Sequence, residues 1–363
     1  MADIKDTGIY LDFGVFDSTE WSEDSAAEIY ERRLEMAEFA DKNDFFCYHV
    51  VEHHTTPLCI APSPSVMLSA IAQRTDRIRI GPLGFLLPFH NPLRLYHEIC
   101  MLDHMCQGRL ELGFGRGIVP IEAERFGIMD VEKGREMMLE ALDVLLAGFN
   151  NDILDFKGEY YSYSNIQLWQ KPYQKPYPPL WYPTANINSI PWAAESGFNV
   201  CGIIETAEEY RELFDLYKKI WSDSRGQSDR LNGHVENPKI GLARNVYVAQ
   251  TDREAIKDAR SAHEEWRKHI GFLFDEAGIT IPPLERLSKF DELMDEDVFL
   301  VGSPKTVTEQ IERTVEQSGI NYLNCLFAFG NLNHERVMRS MRLFTQEVIP
   351  AFKGGGDGPS QVL

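Results

Sequence analysis

Apolar and polar positions follow a repeating order along this chain, in which an apolar run of strand length precedes a stretch with helical spacing. The runs are typical of buried parallel strands, and they cover 9–16, 45–51, 78–87, 109–115, 180–183, 199–204, 240–248 and 322–329. Helix start signals follow several of them, such as Ser25 with Glu28, Asn91-Pro92 and Ser303-Pro304. Eight strands alternating with helices predict an α/β fold whose parallel sheet closes into a TIM (β/α)8 barrel.

An open, doubly wound α/β sheet is the alternative architecture. That fold expects a glycine-rich dinucleotide turn after the first strand. The segment 14–21 contains no G-x-G-x-x-G pattern. The sequence therefore favours the closed barrel.

Two long stretches, 149–179 and 271–298, interrupt the strand and helix repeat. Both are too long for simple connections, and we expect them as insertions at the carboxyl-terminal face of the barrel. The tyrosines and tryptophan of the first insertion either line a substrate pocket or pack on the outside of the barrel. The sequence predicts one barrel domain over 1–353 and a flexible glycine-rich tail over 354–363.

Composition excludes several classes of function. The 36 Lys and Arg residues against 56 Asp and Glu give a net charge of −20, which repels phosphate backbones and argues against a nucleic-acid partner. No apolar run approaches the roughly 20 residues that cross a bilayer, and the N-terminus lacks a secretion signal, so we expect a cytoplasmic protein without a membrane partner. The six cysteines form no C-x-x-C pair, which predicts reduced, buried thiols.

Polar side chains follow the second and fourth predicted strands, where each strand ends. Glu52-His53-His54 closes the run 45–51, and Arg116 closes the run 109–115. Because the carboxyl ends of barrel strands converge on one face, the two clusters predict a single pocket. A histidine, whose ordinary pKa is about 6.5, can accept and return a proton near neutrality.

Strand parity limits what the two histidines can do. Adjacent His53 and His54 point to opposite faces, so only one of them reaches the barrel mouth. Two metal ligands on one face of the strand are therefore missing, and we expect no metal site. A histidine that only caps the strand end by hydrogen bonding is the alternative role for His53.

Arg116 is the second candidate for ligand binding. Its guanidinium is a planar fork of donors that suits two phosphate oxygens, and Gly115 and Gly117 let the backbone approach a ligand. A surface salt bridge is the alternative in so acidic a chain. Gly84 lies within the third predicted strand, where a glycine marks a bulge or a close backbone approach.

These residues belong to an ordered set of motifs that resembles the bacterial luciferase-like flavin monooxygenases. The set consists of EHH at 52–54, LPFHNP at 87–92 and LDHMCQGRLELGFGRG at 102–117. Weaker similarity extends through GEYYSY at 158–163, KPYPPLW at 175–181, WAAESGF at 192–198 and RNVYVAQT at 244–251. The resemblance covers nearly the whole chain.

The resemblance implies a TIM barrel that binds reduced FMN from a separate flavin reductase. The implied enzyme reacts the flavin with oxygen to a hydroperoxide and oxygenates a small organic substrate by hydroxylation or Baeyer–Villiger insertion. The resemblance further implies a catalytic role for His53, phosphate binding by Arg116, Asn186, Asn188 and Ser189, and a non-proline cis peptide at Leu83-Gly84 beneath the isoalloxazine ring.

The resemblance also implies a homodimer formed through helices of the first half and a lid over 271–298. Gly115 stands where light-emitting members carry cysteine, which argues against bioluminescence. Two alternatives to an FMN monooxygenase stay open. One is a deazaflavin-dependent hydride-transfer oxidoreductase, and the other is a flavin-binding protein without turnover.

Overall fold

The structure, a computed structural model, describes residues 7–280 and 282–353. Its strands are β1 (Asp12–Asp17), β2 (Cys47–Val50), β3 (Arg79–Pro82), β4 (Phe85–Leu86), β5 (Leu112–Gly115), β6 (Ile153–Lys157), β7 (Ser162–Gln167), β8 (Leu180–Pro183), β9 (Asn199–Gly202), β10 (Ile240–Val248), β11 (Phe299–Gly302) and β12 (Tyr322–Leu326). Its α-helices are α1 (Ala26–Lys42), α2 (Pro64–Arg74), α3 (Pro92–Met105), α4 (Pro120–Arg125), α5 (Val131–Asn150), α6 (Ile190–Ser196), α7 (Ala207–Asp223), α8 (Asp252–Glu276), α9 (Pro282–Arg286), α10 (Phe290–Asp295), α11 (Pro304–Ser318) and α12 (His334–Leu343).

The parallel sheet closes on itself, which confirms the predicted TIM barrel. Its strand order is β3-β2-β1-β12-β10-β9-β8-β5-β4, and β4 follows β3 after two residues. The two short strands are therefore halves of one broken third strand that pairs with β2 on one side and β5 on the other. All eight predicted runs contain a barrel strand.

Local sequence signals set several helix starts as predicted. Ser25 caps α1 in a capping box with Glu28, and the Asn91 side chain accepts a hydrogen bond from the Arg94 amide at the start of α3. The αL glycine Gly319 ends α11 with φ 71°. These signals involve residues close together in the chain, so they do not depend on the tertiary fold.

Two apolar layers hold the barrel together. Outward-facing strand residues pack under the surrounding helices, as Val15, Val50 and Leu323 do. Inward-facing residues, among them Phe16 and Trp181, fill the barrel and continue into the cover of its carboxyl-terminal face. Burial on both sides explains why the strands read as nearly continuous apolar runs.

The first insertion differs in position from the prediction. It forms an antiparallel hairpin of β6 and β7, whose turn meets the Glu140 carboxylate on the outer side of α5. Its end returns to the amino-terminal side of the barrel, where Gln174 bonds Asp103 and Arg79. The expectation of a carboxyl-face location is therefore wrong for this segment, because it joins a helix to the next strand and such connections lie at the opposite end. Of its aromatic residues, Tyr161, Tyr163 and Tyr177 pack outside the barrel, whereas Trp169 is 91% exposed.

The second insertion lies over the carboxyl-terminal face, as predicted, but it is not irregular. The preceding helix α8 continues to Glu276, and α9 and α10 follow within the segment. The strand β11 then pairs in parallel with the second half of β10, a strand that the apolar pattern did not single out. The insertion is thus an ordered helical cover.

The remaining sequence expectations concern thiols, membranes and the tail. All six cysteines are buried and free, as predicted. In the part of the chain that the structure describes, no helix combines the length and the apolar character needed to cross a bilayer. The expected tail 354–363 lies outside the described residues.

Candidate active site

A cavity opens at the carboxyl-terminal face between the barrel strands and the helical cover. Its walls are mainly apolar, which favours a ligand with little charge. The barrel and its loops contribute Phe16, Val51, Leu58, Val119, Ile204, Ala243 and Leu326, and the cover contributes Trp266, Ile270, Leu273, Phe274, Leu284 and Leu287. His53, Ser18, Thr56 and Asn245 are among its few polar lining residues.

His53 reaches this cavity, and a buried carboxylate lies behind it. The His53 Nδ1 atom is 3.4 Å from Oε2 of Glu122, whose side chain is fully buried in α4. The other oxygen of Glu122 accepts a hydrogen bond from the His54 backbone amide. Because a carboxylate holds a proton donor toward itself, this arrangement leaves the other ring nitrogen, Nε2, available to a ligand.

His54 points away from the cavity, as strand parity predicts. Its Nε2 atom lies 2.9 Å from Oε1 of Glu52, and His90 Nε2 lies 2.9 Å from the same oxygen. Glu52 also accepts a hydrogen bond from the Leu86 amide in β4 at 2.9 Å. Burial acts to raise the pKa of Glu52, but these hydrogen bonds outweigh it and lower the pKa. The Glu52 side chain thus links the end of β2 to the third barrel strand by a hydrogen bond.

Arg116 follows β5 and is half-buried. In the described residues it forms no ion pair, so the surface salt bridge considered as an alternative is absent there. Burial raises the pKa of the nearby Tyr182 hydroxyl, while a hydrogen bond with Ser189 and the charges of Arg116 and Arg135 act to lower it. The charges of both guanidiniums thus act on one hydroxyl group, although Arg135 also pairs with Glu132 at 3.4 Å. Arg135 was not identified from the sequence.

The loop after β8, the fifth barrel strand, holds the other predicted phosphate ligands. Asn186 Oδ1 accepts a hydrogen bond from the Asn188 amide at 3.0 Å, so this side chain closes its own turn. Ser189 Oγ lies 2.8 Å from Thr184 Oγ1, on the same loop. The side chains of Asn186 and Asn188 are exposed, and Ser189 is the member of this group that contacts Tyr182.

The peptide bond between Leu83 and Gly84 is cis, at the position that the resemblance implied. Leu83 is buried in the same inner cluster as Val51 and Val119. A Cβ atom on Gly84 would lie 2.5 Å from the backbone nitrogen of Phe114, so only glycine fits between the two strands. Gly117, with φ 79°, also requires glycine, because that conformation is unfavourable for residues with a side chain.

The structure places the predicted residues in two neighbouring groups at one end of the barrel. His53 lines the cavity, and Arg116 with Ser189 forms the group around Tyr182. The segment from Arg116 to Val119 links the groups, since Val119 lines the cavity. Sequence reasoning missed Glu122, because α4 is short and only the fold brings it 3.4 Å from His53. A glutamate at the start of a helix is otherwise an ordinary surface residue.

Comparisons with known proteins identify the family of this barrel. The family model described as luciferase-like monooxygenase matches residues 11–322. An uncharacterized protein of Sinorhizobium fredii, y4wF, is 36% identical over 323 residues, which are 89% of this chain and 92% of that protein. The oxygenase component of the flavin-dependent trigonelline monooxygenase of Acinetobacter baylyi is 24% identical over 90% of both chains.

Among solved structures, the monooxygenase RslO1 from Streptomyces bottropensis superimposes with a TM-score of 0.83 at 26% identity. The alignment covers 94% of this chain and 100% of that one. The matched segment includes both groups of site residues and the whole barrel up to the start of its last strand. The chain belongs to the luciferase-like monooxygenase family.

Proposed function

We propose that this protein is the oxygenase component of a two-component flavin monooxygenase. It takes reduced FMN from a separate reductase and uses O2 to oxygenate a small, mainly apolar organic molecule, by hydroxylation or Baeyer–Villiger insertion. The observation that carries the proposal is a mainly apolar cavity with one carboxylate-oriented histidine, at the end of the barrel where Arg116 follows its strand without an ion-pair partner in the described residues. When bound, reduced FMN supplies the electrons that activate oxygen.

The residues present fit the parts of this cofactor. Arg116 offers donors to the phosphate group, with Arg135 adding positive charge nearby. The Ser189 hydroxyl donates to the Asn186 carbonyl at 2.8 Å, so Ser189 would bind the phosphate only by exchanging that hydrogen bond. The cis peptide at Leu83-Gly84 would lie behind the flavin ring, and the absence of a side chain on Gly84 lets this segment approach Phe114 of β5 closely. In this proposal Asn186 and Asn188 shape the phosphate loop.

Within the cavity, His53 holds or moves the proton that oxygen transfer requires. Glu122 fixes the ring by its contact with Nδ1 and leaves Nε2 toward the reacting atoms. The helical cover excludes water from the site. Water exclusion protects a reactive oxygen species from hydrolysis and side reactions.

The proposal is tested by turnover with isotopically labelled oxygen. The protein is mixed with a flavin reductase, FMN and ¹⁸O2, and products of a panel of ketones, aldehydes, terpenes and aromatic compounds are analysed by mass spectrometry. One labelled oxygen atom in a product is the expected result. Release of peroxide without any labelled product, across the panel, would contradict monooxygenation and favour a flavin-binding protein without turnover.

The cofactor choice is tested separately by titration. Reduced FMN and a reduced deazaflavin are titrated anaerobically into the protein, and we expect tighter binding of FMN. Tighter binding of the deazaflavin, together with hydride transfer to a carbonyl substrate, would support the alternative oxidoreductase.

We also propose that Arg116 provides most of the phosphate affinity. Arg116→Ala should raise the Kd for FMN roughly 10- to 100-fold, because charge-assisted hydrogen bonds to the phosphate are lost. Fluorescence quenching on titration measures this. Arg94→Ala is the matched control, since Arg94 lies on exposed α3 surface and pairs with Glu98. Equal Kd values for the Arg116 variant and the parent protein would place the phosphate elsewhere.

A homodimer through α2 and α3 is the proposed assembly. These helices pack against each other and leave Val66, Met101 and Met105 exposed by 71%, 53% and 40%. Several large apolar side chains on one pair of helices are typical of a protein interface. The flavin reductase is the further proposed partner, as the source of reduced FMN.

A further inference from the structure

We infer that Asn245 is a specificity-determining residue that holds the carbonyl oxygen of the substrate. The inference rests on the proposed function, in that it concerns the molecule to be oxygenated in the same cavity. It adds a substrate class, namely small apolar molecules that carry a ketone or aldehyde group.

Asn245 lies on β10 at an inward-facing position. In this strand Ala243 and Tyr247 belong to the inner cluster, whereas Leu242 and Val246 belong to the outer one. Asn245 follows the parity of the inner set, and it is among the residues that line the cavity. Its side chain is 8% exposed.

Among the described residues, none forms a hydrogen bond with the amide of Asn245. Its Nδ2 atom is buried without a hydrogen bond, and no described residue bonds its Oδ1 atom. Most other polar groups of the lining have partners: the Ser18 hydroxyl lies 3.4 Å from Glu20, and the Thr56 hydroxyl lies 3.5 Å from the His269 carbonyl. The terminal nitrogens of Arg244 donate to three backbone carbonyls, although its buried Nε atom, like the Asn245 amide, has no partner. Because buried polar groups in folded proteins nearly always have partners, the missing one is expected from a ligand.

The strands paired with β10 place apolar residues beside the Asn245 amide. Asn245 lies opposite Leu326 of β12 and Phe299 of β11, both apolar. A half-turn about χ2 exchanges the amide oxygen and nitrogen, so the group can present its donor to the cavity. An amide donor at the edge of an apolar space selects a ligand that carries one acceptor oxygen on an apolar skeleton.

The position relative to His53 suits such a substrate. Both residues line the same cavity, His53 after the second barrel strand and Asn245 within the seventh. A carbonyl group held by Asn245 therefore lies in the compartment where His53 handles protons. An apolar molecule without an oxygen atom fills the same space but leaves the amide unpaired.

The test compares two ligands of equal shape. The probes are 4-tert-butylcyclohexanone and its exocyclic methylene analogue, and their Kd values are measured by calorimetry with oxidised FMN present. The parent protein should bind the ketone about tenfold more tightly than the alkene. Asn245→Leu should remove this preference. Asn245→Asp keeps the shape but loses the donor once its carboxyl is ionised, so it should also lose affinity for the ketone at alkaline pH.

Thr56→Val serves as the control, because it removes a polar cavity group that already has a protein partner. It should leave the ratio of the two Kd values unchanged. An unchanged ratio in both Asn245 variants, or no preference in the parent protein, would overturn the inference. Binding requires no turnover, so a failure of the labelled-oxygen experiment with the ketone preference intact would reject the proposed function alone.

Discussion

Several residues of this site carry ionisable side chains that are buried in apolar surroundings. Glu52 and Glu122 are both almost fully buried, and each has hydrogen-bond donors around it. A buried carboxylate without donors is strongly unfavourable, so these partners are a condition of the fold as well as of the site. His49, deeper in the barrel, has no such partner for its Nε2 atom, and burial lowers its pKa to about 3. It is therefore neutral near pH 7, unlike a histidine that exchanges protons.

The role of Glu122 in orienting His53 leads to a residue-scale prediction. Glu122→Gln can still accept from the His54 amide, but its other end becomes a donor and no longer matches a proton on His53 Nδ1. We expect kcat to fall roughly 10- to 100-fold, with the Kd for FMN and the Tm nearly unchanged.

Glu124→Gln is the control for this change, since Glu124 lies exposed on the same short helix. Steady-state oxygen consumption with saturating reductase gives kcat. A parallel loss of kcat and Tm would indicate that Glu122 acts only through stability.

At the scale of elements, the connections between helices and strands carry much of the stability. Asp41, near the end of α1, accepts hydrogen bonds from the amides of Arg77 and Ile78 at 2.7 Å each, directly before β3. Burial acts to raise the pKa of Asp41, but these amides and that of Asp76 outweigh it, and the pKa is lowered.

This gives a prediction for stability and pH. A carboxyl with a lowered folded-state pKa stabilises the fold fully above its ordinary value, about 3.9, and the contribution is lost as pH falls through the folded-state pKa. Asp41→Asn should lower the free energy of unfolding by about 1 to 3 kcal/mol at pH 7. The difference from the parent protein should shrink below about pH 4.

Urea unfolding at pH 7 and at pH 3.5 measures the effect. Asp76→Asn is the matched control, because the Asp76 side chain is exposed on the same loop. A difference between Asp41→Asn and the parent protein that stays the same at both pH values would contradict an origin in the charged carboxylate.

The helical cover of the cavity is attached to the barrel by contacts between ionisable side chains. The helix α8 crosses the carboxyl-terminal face, and its buried His269 lies 2.7 Å from the equally buried Glu20 after β1. Near the end of α8, Glu276 pairs with Arg125 of α4. The cover is thus fixed to two different loops of the barrel, which places Trp266 and Leu273 over the cavity.

At the scale of the whole molecule, surface composition and assembly matter together. A net charge of −20 keeps copies apart, so a dimer needs an apolar contact strong enough to overcome repulsion. Met101→Glu in the exposed surface of α3 should convert the proposed dimer into a monomer at micromolar concentration. Sedimentation velocity distinguishes the two states.

Met129→Glu is the control for assembly, since Met129 is 77% exposed between α4 and α5, outside the proposed interface. It should leave the dimer intact. A parent protein that sediments as a monomer, or a Met101 variant that stays dimeric, would contradict this interface.

The barrel could be predicted from sequence because its signals are local. Apolar runs, the capping box at Ser25 and the αL glycine at Gly319 each act within a few residues. Parity likewise fixed that His53 and His54 face opposite sides. The position of the first insertion follows from chain order, because a connection from a helix to the next strand lies at the amino-terminal end of the barrel. The apolar pattern did not predict the strand β11, because its four residues follow a helical segment and have the same apolar character as other buried segments.

The sequence by itself determined the order of the eight barrel strands and the ends of strands at which His53 and Arg116 lie, because hydrophobic period and capping chemistry are properties of short segments. Only the tertiary structure determined which groups surround His53 and Asn245. Glu122 meets His53 across 69 positions of the chain, and Asn245 lies between two apolar residues of neighbouring strands, Leu326 and Phe299. Such contacts depend on how distant segments pack, and no local pattern encodes them.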